Sequence, residues 1–282
     1  MPDDQPEETA TVTSAVGGAV GAPATAPPAV VARGEAAEGV SVGTADRPVH
    51  ERVAAPDVVL PPESVAGVTW RPLSLDDLVP LHALCARIGA VDHPDRGHAL
   101  EVVRDDLTSP GIDLARDSIV GVDADGRFVA WGLSHLGPTR VSLVRVGVPG
   151  GVDPGRRGEG LGRRLLDWQR ARGEQHLAAC DEVLPAGLVT DVDEDALDAR
   201  AAFRRAGFDE SRWWTELRRD LTEPIERVAL DPAVRLVTMT DEWIEATRQA
   251  RNDAFRDHWG SQPTSEDRWG RMVGAGTFRQ DL

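Results

Sequence analysis

The sequence contains no lysine and no tyrosine, and Asn252 is its only asparagine. Without lysine the chain cannot build the Gly-Lys-Ser/Thr loop by which P-loop proteins hold nucleotide phosphates. Without tyrosine it has no phenol to serve as a proton donor in catalysis. Coding bias toward Arg, Ala, Gly and Pro is a sufficient explanation for these absences, but they still narrow the chemistry of any site.

Cysteines and long apolar runs are scarce as well. Cys85 and Cys180 lie far apart in the sequence and form neither a metal-binding spacing nor a disulfide framework, so we expect two reduced, buried thiols. No apolar run approaches the ~18 residues of a membrane span. The chain begins MPDDQPEE, which is acidic where a signal peptide carries basic residues. We therefore expect a cytoplasmic protein without a membrane partner.

The charge balance is acidic, with 31 basic against 47 acidic residues and a net charge of −16. A surface that binds nucleic acid non-specifically needs the opposite sign, so we expect no nucleic-acid partner. Residues 1–66 hold ten of the acidic residues and three arginines. This segment is rich in Ala, Pro, Gly, Val and Thr and has neither helical nor strand periodicity, which predicts a disordered tail.

Periodic sequence begins at Val68. The apolar spacing and the turn residues predict the order β-α-α-β-β-β-α-β-α-β, a mixed α+β domain over residues 67–222. The predicted strands are 68–71, 118–122, 127–136, 141–148, 188–191 and 213–221. The predicted helices follow Ser74, cover 98–107, begin near Gly160 and cover 194–206.

The pattern then restarts at Val234 after a linker over 223–232. A strand is again followed by a capped amphipathic helix, and Asp92-His93 after the first helix has a counterpart in Asp257-His258. This repetition predicts a truncated second copy over 233–282, with the first strand and helices only. Either the chain is a fragment of a longer protein or the second copy has decayed.

Residues 151–168, GVDPGRRGEGLGRRLLDW, include three glycines at alternate positions, Gly158, Gly160 and Gly162, between a strand and an amphipathic helix. Glycines let the backbone approach an anion closely, and the first-turn N–H groups of a helix attract phosphate. A dinucleotide fingerprint Gly-x-Gly-x-x-Gly would need glycine where Arg163 stands, which argues against that class. The pattern that remains is Arg-x-x-Gly-x-Gly, from Arg157 to Gly162.

This stretch resembles the acyl-CoA pyrophosphate loop of the GNAT acyltransferase superfamily, and the Phe203-to-Phe208 segment resembles its Gly-Phe motif. The resemblance covers Val68–Leu221. It implies a GNAT-like central mixed sheet flanked by helices, and acetyl-CoA or another acyl-CoA as the donor. The residues that it assigns to the cofactor are Val152, Arg156, Arg157, Gly158, Gly160, Leu161 and Gly162. With the second copy, the chain resembles the tandem-domain GNAT type that includes mycothiol synthases, with the second domain incomplete.

The resemblance implies an N-acetyltransferase in which a small-molecule amine attacks the thioester directly in a ternary complex. Two departures stand against this. Phe203 occupies the position where the family often has a tyrosine that protonates the departing thiolate, and the central strand contains no Asp, Glu or His. The alternative is therefore a non-catalytic CoA-binding regulatory module. The sequence specifies neither the acceptor nor the oligomeric state.

The candidate bases are two carboxylates after the next strand, Asp191 and Asp193. The competing interpretation is that they begin the following helix and cap it. His93 and His258 are candidates for lining an acceptor site, and His135 ends a strand beside the predicted cleft, where it has a structural role as the alternative.

Overall fold

A computed structural model describes residues 28–32, 45–94, 99–217, 219–222, 224–225, 229–258, 260–275 and 278. The strands within these ranges are β1 (Pro28–Ala32), β2 (Thr69–Arg71), β3 (Ser118–Val122), β4 (Phe128–Leu133), β5 (His135–Leu136), β6 (Val144–Gly147), β7 (Gly150–Val152), β8 (Ala186–Asp191) and β9 (Phe208–Trp213). The α-helices are α1 (Leu78–Asp92), α2 (Leu100–Leu107), α3 (Leu114–Asp117), α4 (Leu161–Ala178), α5 (Leu197–Arg205), α6 (Asp241–Ala254) and α7 (Glu266–Gly274). Short 3₁₀ turns cover Val49–Arg52, Leu75–Asp77 and Pro154–Arg156.

The strands form two sheets that share bent segments. One has the order β2-β3-β4-β7 and the other has the order β5-β6-β8-β1-β9. All described pairs are antiparallel except β6 with β8. The segments β4–β5 and β6–β7 each pass from one sheet into the other within a few residues. The predicted α+β class, with helices flanking a mixed arrangement of strands, is confirmed.

Helices cover both faces of the four-stranded sheet. Leu161, Leu165 and Trp168 of α4 pack with Ile119 of β3 on one face. On the other face, α1 and α2 pack against Val120, the next residue along β3. Neighbouring residues of a strand point to opposite faces, so this alternation explains how one strand supports two layers. Burial of each large apolar side chain contributes about 1.5–3 kcal/mol.

The start of the first helix is fixed by a capping box. Asp77 accepts hydrogen bonds from the backbone N–H and the hydroxyl of Ser74, at 2.8 and 3.2 Å. Arg71 donates two hydrogen bonds of 2.7 Å to the same carboxylate. The Ser74 signal in the sequence therefore marks the helix start correctly.

The prediction of a disordered tail over 1–66 is wrong for two described segments. Residues 28–32 form β1 between β8 and β9. Val49 is fully buried in the core beneath the five-stranded sheet, and its N–H donates to the carbonyl of Glu182 at 3.0 Å. A single buried valine leaves no periodicity in the sequence, which is why composition alone misjudged this segment. Residues 1–27 and 33–44 lie outside the described residues.

Two predicted strands are also corrected. The last strand of the first unit covers Phe208–Trp213 instead of 213–221. Gly207 has φ of +85° and turns the chain directly after α5, so Phe208 enters the core at once. The strand predicted at Val234 does not form in the described residues, whereas the helix after Thr240 does form as α6.

Among the described helices, none combines the length and apolarity that crossing a bilayer requires.

Candidate functional site

The central feature of the site is a strand that changes partners. Its first half, β6, runs parallel to β8, and the N–H of Val148 still donates to the carbonyl of Val189 at 3.0 Å. Its second half, β7, pairs with β4 in the other sheet. The carboxyl ends of β7 and β8 thus separate, and we call the space between them the crevice. Ligands of open α/β sheets bind outside the carboxyl ends of strands at such switch points.

Gln169 of α4 holds the strand at the point where it changes sheets. Its side-chain amide is buried and donates to the carbonyls of Leu133 and Pro149, at 2.8 Å each. Gly132 makes room for it, because a Cβ there would lie 2.8 Å from the amide nitrogen. Sequence analysis missed this residue, although a polar side chain on the apolar face of a helix, four residues after Leu165, was a usable signal.

The edge of β7 that faces the crevice carries free backbone donors. The N–H of Asp153 donates to Val129 at 2.8 Å, and Gly151 stands opposite Trp131. Since N–H groups alternate in direction along an antiparallel strand, those of Gly150 and Val152 point away from β4. No described strand pairs with that edge of β7. It can therefore donate to a carbonyl oxygen placed in the crevice.

Residues 153–160, which we call the glycine loop, connect β7 to α4. The loop is anchored by Asp153, which is buried and accepts from Arg87 at 2.7 Å and Arg127 at 3.1 Å. Burial opposes ionisation of this carboxyl, but the hydrogen bond from Arg87 and the N–H of Gly155 outweigh it and hold its pKa below the usual value. The loop therefore leaves the sheet from a fixed point.

The predicted glycines have distinct roles in the loop. Gly158 and Gly160 adopt φ of +81° and +84°, a conformation that side chains other than glycine rarely adopt. Gly160 is the N-cap of α4 and no side chain caps this helix end. Gly162 instead lies within the first turn of α4. A Cβ at this position would lie 3.8 Å from the Cγ2 of Val152, which is ordinary van der Waals contact. Leu161 is buried, so only its backbone can face a ligand.

Both predicted cations already hold carboxylates. Arg157 makes a two-pronged contact with Asp92 at the end of α1, with bonds of 2.8 and 2.6 Å. Arg156 binds Glu159 at 2.9–3.0 Å and also donates to the carbonyl of Ala66 at 2.9 Å. The hydrogen bond from Arg156 lowers the pKa of Glu159. No local sequence pattern indicates that Asp92, 65 residues before Arg157, would reach the loop.

The candidate bases separate in the structure. Asp193 lies just past β8 with its Oδ2 2.6 Å from the Nδ1 of His93. Asp191 is exposed at the end of β8, opposite Ala29 in β1. Asp193 thus contacts His93, which lies far away in the sequence. Asp191 instead remains exposed at the end of the strand.

The remaining histidines do not share this location. His258 stacks on Trp214, with ring centroids 5.5 Å apart. His135 packs over Gly147, and burial lowers its pKa. Phe203 packs edge-on against Phe208 at 5.2 Å, at the margin of the core that contains Val148. It therefore has an apolar packing role in the structure.

Among the described residues, no three His, Cys, Asp or Glu side chains are grouped so that they could hold a metal ion. A cavity of about 300 Å³ lies between residues 57–61 and the side chains of Trp168 and Arg172 on α4. Its described lining does not include the glycine loop.

The solved structures that resemble this chain include acetyltransferases. A GCN5-related N-acetyltransferase from Sphaerobacter thermophilus matches with a TM-score of 0.50 and 20% identity, over 79% of this chain and 65% of that one. An aminoglycoside N-acetyltransferase in complex with CoA (TM-score 0.37, 17% identity, 57% of this chain and 99% of that one) and an aminoglycoside 6'-N-acetyltransferase from Acinetobacter baumannii (0.38, 17%, 55% and 99%) match more distantly. No family model and no curated protein matches the chain. The first likeness shows that the chain has the GNAT fold, while it spans less than two thirds of that relative's length.

Proposed function

We propose that this protein is an acyl-CoA-dependent N-acyltransferase that transfers an acyl group, with acetyl as the first candidate, to a small-molecule amine. The observation that carries the proposal is the glycine loop at the uncapped start of α4, beside a crevice between diverging strands. The GNAT fold of the chain supports the same conclusion.

The loop offers a fitting cradle for a diphosphate. Gly160 leaves the helix end without a side-chain cap, so the first-turn N–H groups at 161–163 are available to an anion. Arg157 and Arg156 add positive charge. Each charge-assisted hydrogen bond contributes about 1.5–3 kcal/mol, so several of them hold the donor without any lysine. Val152 contributes through its outward N–H.

The crevice would hold the thioester end of the donor. A carbonyl oxygen that accepts from the N–H of Gly150 or Val152 gains stabilisation as negative charge develops on it. The amine nitrogen then bonds to the carbonyl carbon, and the C–S bond breaks in the same ternary complex. With Phe203 in the core and no tyrosine in the chain, the departing thiolate takes its proton from water.

A specific observation favours a second candidate, a CoA-binding module without catalysis. Phe203 packs against Phe208 and offers no proton, and β6–β7 contains no Asp, Glu or His. In this alternative the cradle binds acyl-CoA as a regulatory ligand. Turnover with an amine separates the two candidates.

We also propose that residues 233–282 begin a second GNAT-like unit. Helix α6, which begins after Thr240, and the following α7 have the same order as the first helices of residues 67–222. Gln262 ties this segment to the first unit by accepting from the N–H of Val141 at 2.9 Å. The acidic residues also outnumber the basic residues within 67–282, and this modest excess favours a cationic acceptor.

The test is a calorimetric titration with acetyl-CoA. The wild-type chain should bind with micromolar affinity, and Gly160→Arg should not bind detectably, because its side chain fills the cradle and its backbone cannot keep φ of +84°. Gly111→Arg is the matched control, since Gly111 has φ of +89° and open space around it at a turn outside the loop. Loss of binding in both variants, or no binding by the wild type, contradicts the proposal.

A further inference from the structure

One helix end reaches both sides of the crevice. The carboxyl end of α1 carries Asp92, which holds Arg157 of the glycine loop after β7. The next residue, His93, contacts Asp193 in the turn after β8 at 2.6 Å. Because β6–β7 and β8 run in the same direction, their carboxyl ends lie at the same edge, and α1 spans the gap between them. His93 is therefore placed where an acceptor would approach a thioester held in the crevice.

The two ring nitrogens of His93 are in different environments. Nδ1 is buried beside the Asp193 carboxylate, at an ion-pair distance but outside hydrogen-bond alignment. The His93 side chain is nevertheless 29% exposed, so a part of the ring other than Nδ1 is accessible to a ligand. A carboxylate at Nδ1 favours the tautomer with its proton on Nδ1 and the lone pair on Nε2. Such a ring can accept a proton from a group in the crevice.

We infer that Nε2 of His93 accepts the proton of the attacking amine and that Asp193 is the positioning residue for its ring, an inference that rests on the proposed function. As the C–N bond forms and the C–S bond breaks, the proton on nitrogen passes to His93. The thiolate leaves and takes a proton from water, and the imidazolium returns its proton to water. No oxidant or further reactant is needed.

Other described groups are less well placed for this role. Asp191 is exposed on the strand that pairs with β1, and His135 is buried over Gly147. His258 is stacked on Trp214. Strand β6–β7 itself contains only Val, Arg, Gly and Pro. The pair His93–Asp193 thus supplies the acid–base group that the strand lacks.

The chain contains a matched control pair. Nδ1 of His50 lies 3.2 Å from Oδ1 of Asp181, and the N–H of His50 donates to the carbonyl of Cys180. Cys180 follows the carboxyl end of α4, whereas the glycine loop lies at the amino end of this 18-residue helix. A helix of that length separates the two ends by about 27 Å. His50–Asp181 is therefore a histidine–carboxylate pair far from the crevice.

The experiment compares His93→Ala, Asp193→Asn and His50→Ala in the full chain. Acetyl-CoA affinity is measured by calorimetry, and transfer is measured by thiol release with a panel of primary amines. We expect His93→Ala to lower kcat by about 100-fold or more. Its acetyl-CoA affinity should stay within about twofold, and added imidazole should restore part of the rate because it replaces the missing ring. A purely structural role for His93 would not produce imidazole rescue.

For Asp193→Asn we expect kcat to fall by about tenfold, as for loss of an orienting partner, while KM for acetyl-CoA stays unchanged. Asp193→Glu should recover part of that loss, and His50→Ala should match the wild type with or without imidazole. His93→Gln serves as a second variant if His93→Ala does not fold.

The outcomes separate the two proposals. If the wild type does not bind acetyl-CoA, the proposed function fails and this inference fails with it. If the wild type binds but acylates no amine, the assignment of His93 is overturned while the cofactor site stands. If the wild type turns over and both His93 variants retain its kcat, or imidazole restores nothing, only the assignment of His93 is overturned.

Discussion

Arg157 of the glycine loop and Asp92 at the end of α1 hold each other through two hydrogen bonds of 2.8 and 2.6 Å. Asp92 thus accepts hydrogen bonds from the same guanidinium that the loop would offer to a diphosphate. Asp92 therefore competes with the ligand for Arg157, and the competition is a local electrostatic effect that can be measured.

Replacement of Asp92 by Asn should increase acetyl-CoA affinity. Arg157 would then lose its carboxylate partner, and one negative charge would be removed from beside the diphosphate. A partly exposed ion pair is worth up to about 1 kcal/mol, so we expect a gain of up to about fivefold. Calorimetry at low salt measures it. Asp46→Asn is the control, because that exposed acid lies near the far end of α4. Unchanged or weaker binding for Asp92→Asn would contradict the competition.

Alanine at Gly160, in the glycine loop, and alanine at Gly162, in the first turn of α4, should affect stability in opposite directions. Gly160→Ala places a Cβ at φ of +84° and should lower the free energy of unfolding by about 1–2 kcal/mol. Gly162→Ala lies in the first turn of α4, with ordinary contact to Val152, and should raise it by up to about 1 kcal/mol. Urea denaturation of the two variants gives the comparison. Equal effects would show that the left-handed conformation of Gly160 does not limit the loop.

The buried carboxylate of Asp117 should set the acid limit of stability. It accepts hydrogen bonds from the side chain of Arg172, at 2.8 Å to Nε, and lies 3.1 Å from Nε2 of His176. Burial opposes its ionisation, but His176, the N–H of Asp113 and Arg172 together lower its pKa. A lowered pKa gives stability that is complete above the unfolded value of about 3.9 and is lost as the pH falls through the folded value.

Asp117→Asn should therefore lower the free energy of unfolding by about 3–5 kcal/mol at neutral pH, because it leaves buried Arg172 without its charge partner. The variant should also lose less stability than the wild type between pH 5 and 2. Urea titrations across that range, with exposed Asp198→Asn as the control, provide the measurement. A pH dependence identical to that of the wild type would assign the acid sensitivity to other carboxyls.

Neither cysteine should react in the folded protein. Burial raises the pKa of the Cys85 thiol to about 12, and burial also raises the pKa of Cys180. The thiolate is the reactive species, so a disulfide reagent at pH 8 should detect no thiol in the native chain and two per chain in urea. The same result makes thiol release a clean assay of acyl transfer. Rapid native reaction would place one cysteine at the surface.

Within residues 67–222, the order of the main helices and strands and the position of the glycine loop were determined by the sequence. Both depend on local rules, since apolar spacing specifies helices and strands, and residues other than glycine rarely adopt the φ values at positions 158 and 160. The helix start after Ser74 was predicted correctly for the same reason, because its capping box involves only neighbouring residues. The local pattern failed at Phe208 and Val49, whose burial depends on a core assembled from distant segments.

The tertiary structure alone decided which side chains meet at the crevice. Asp92 contacts Arg157 across 65 residues, and His93 contacts Asp193 across 100, because α1 packs over the end of a sheet whose strands diverge. Gln169 fixes that divergence by satisfying two carbonyls. Such contacts depend on the angle and register at which whole elements pack. Residue types and spacing therefore specified the loop, and packing specified its partners.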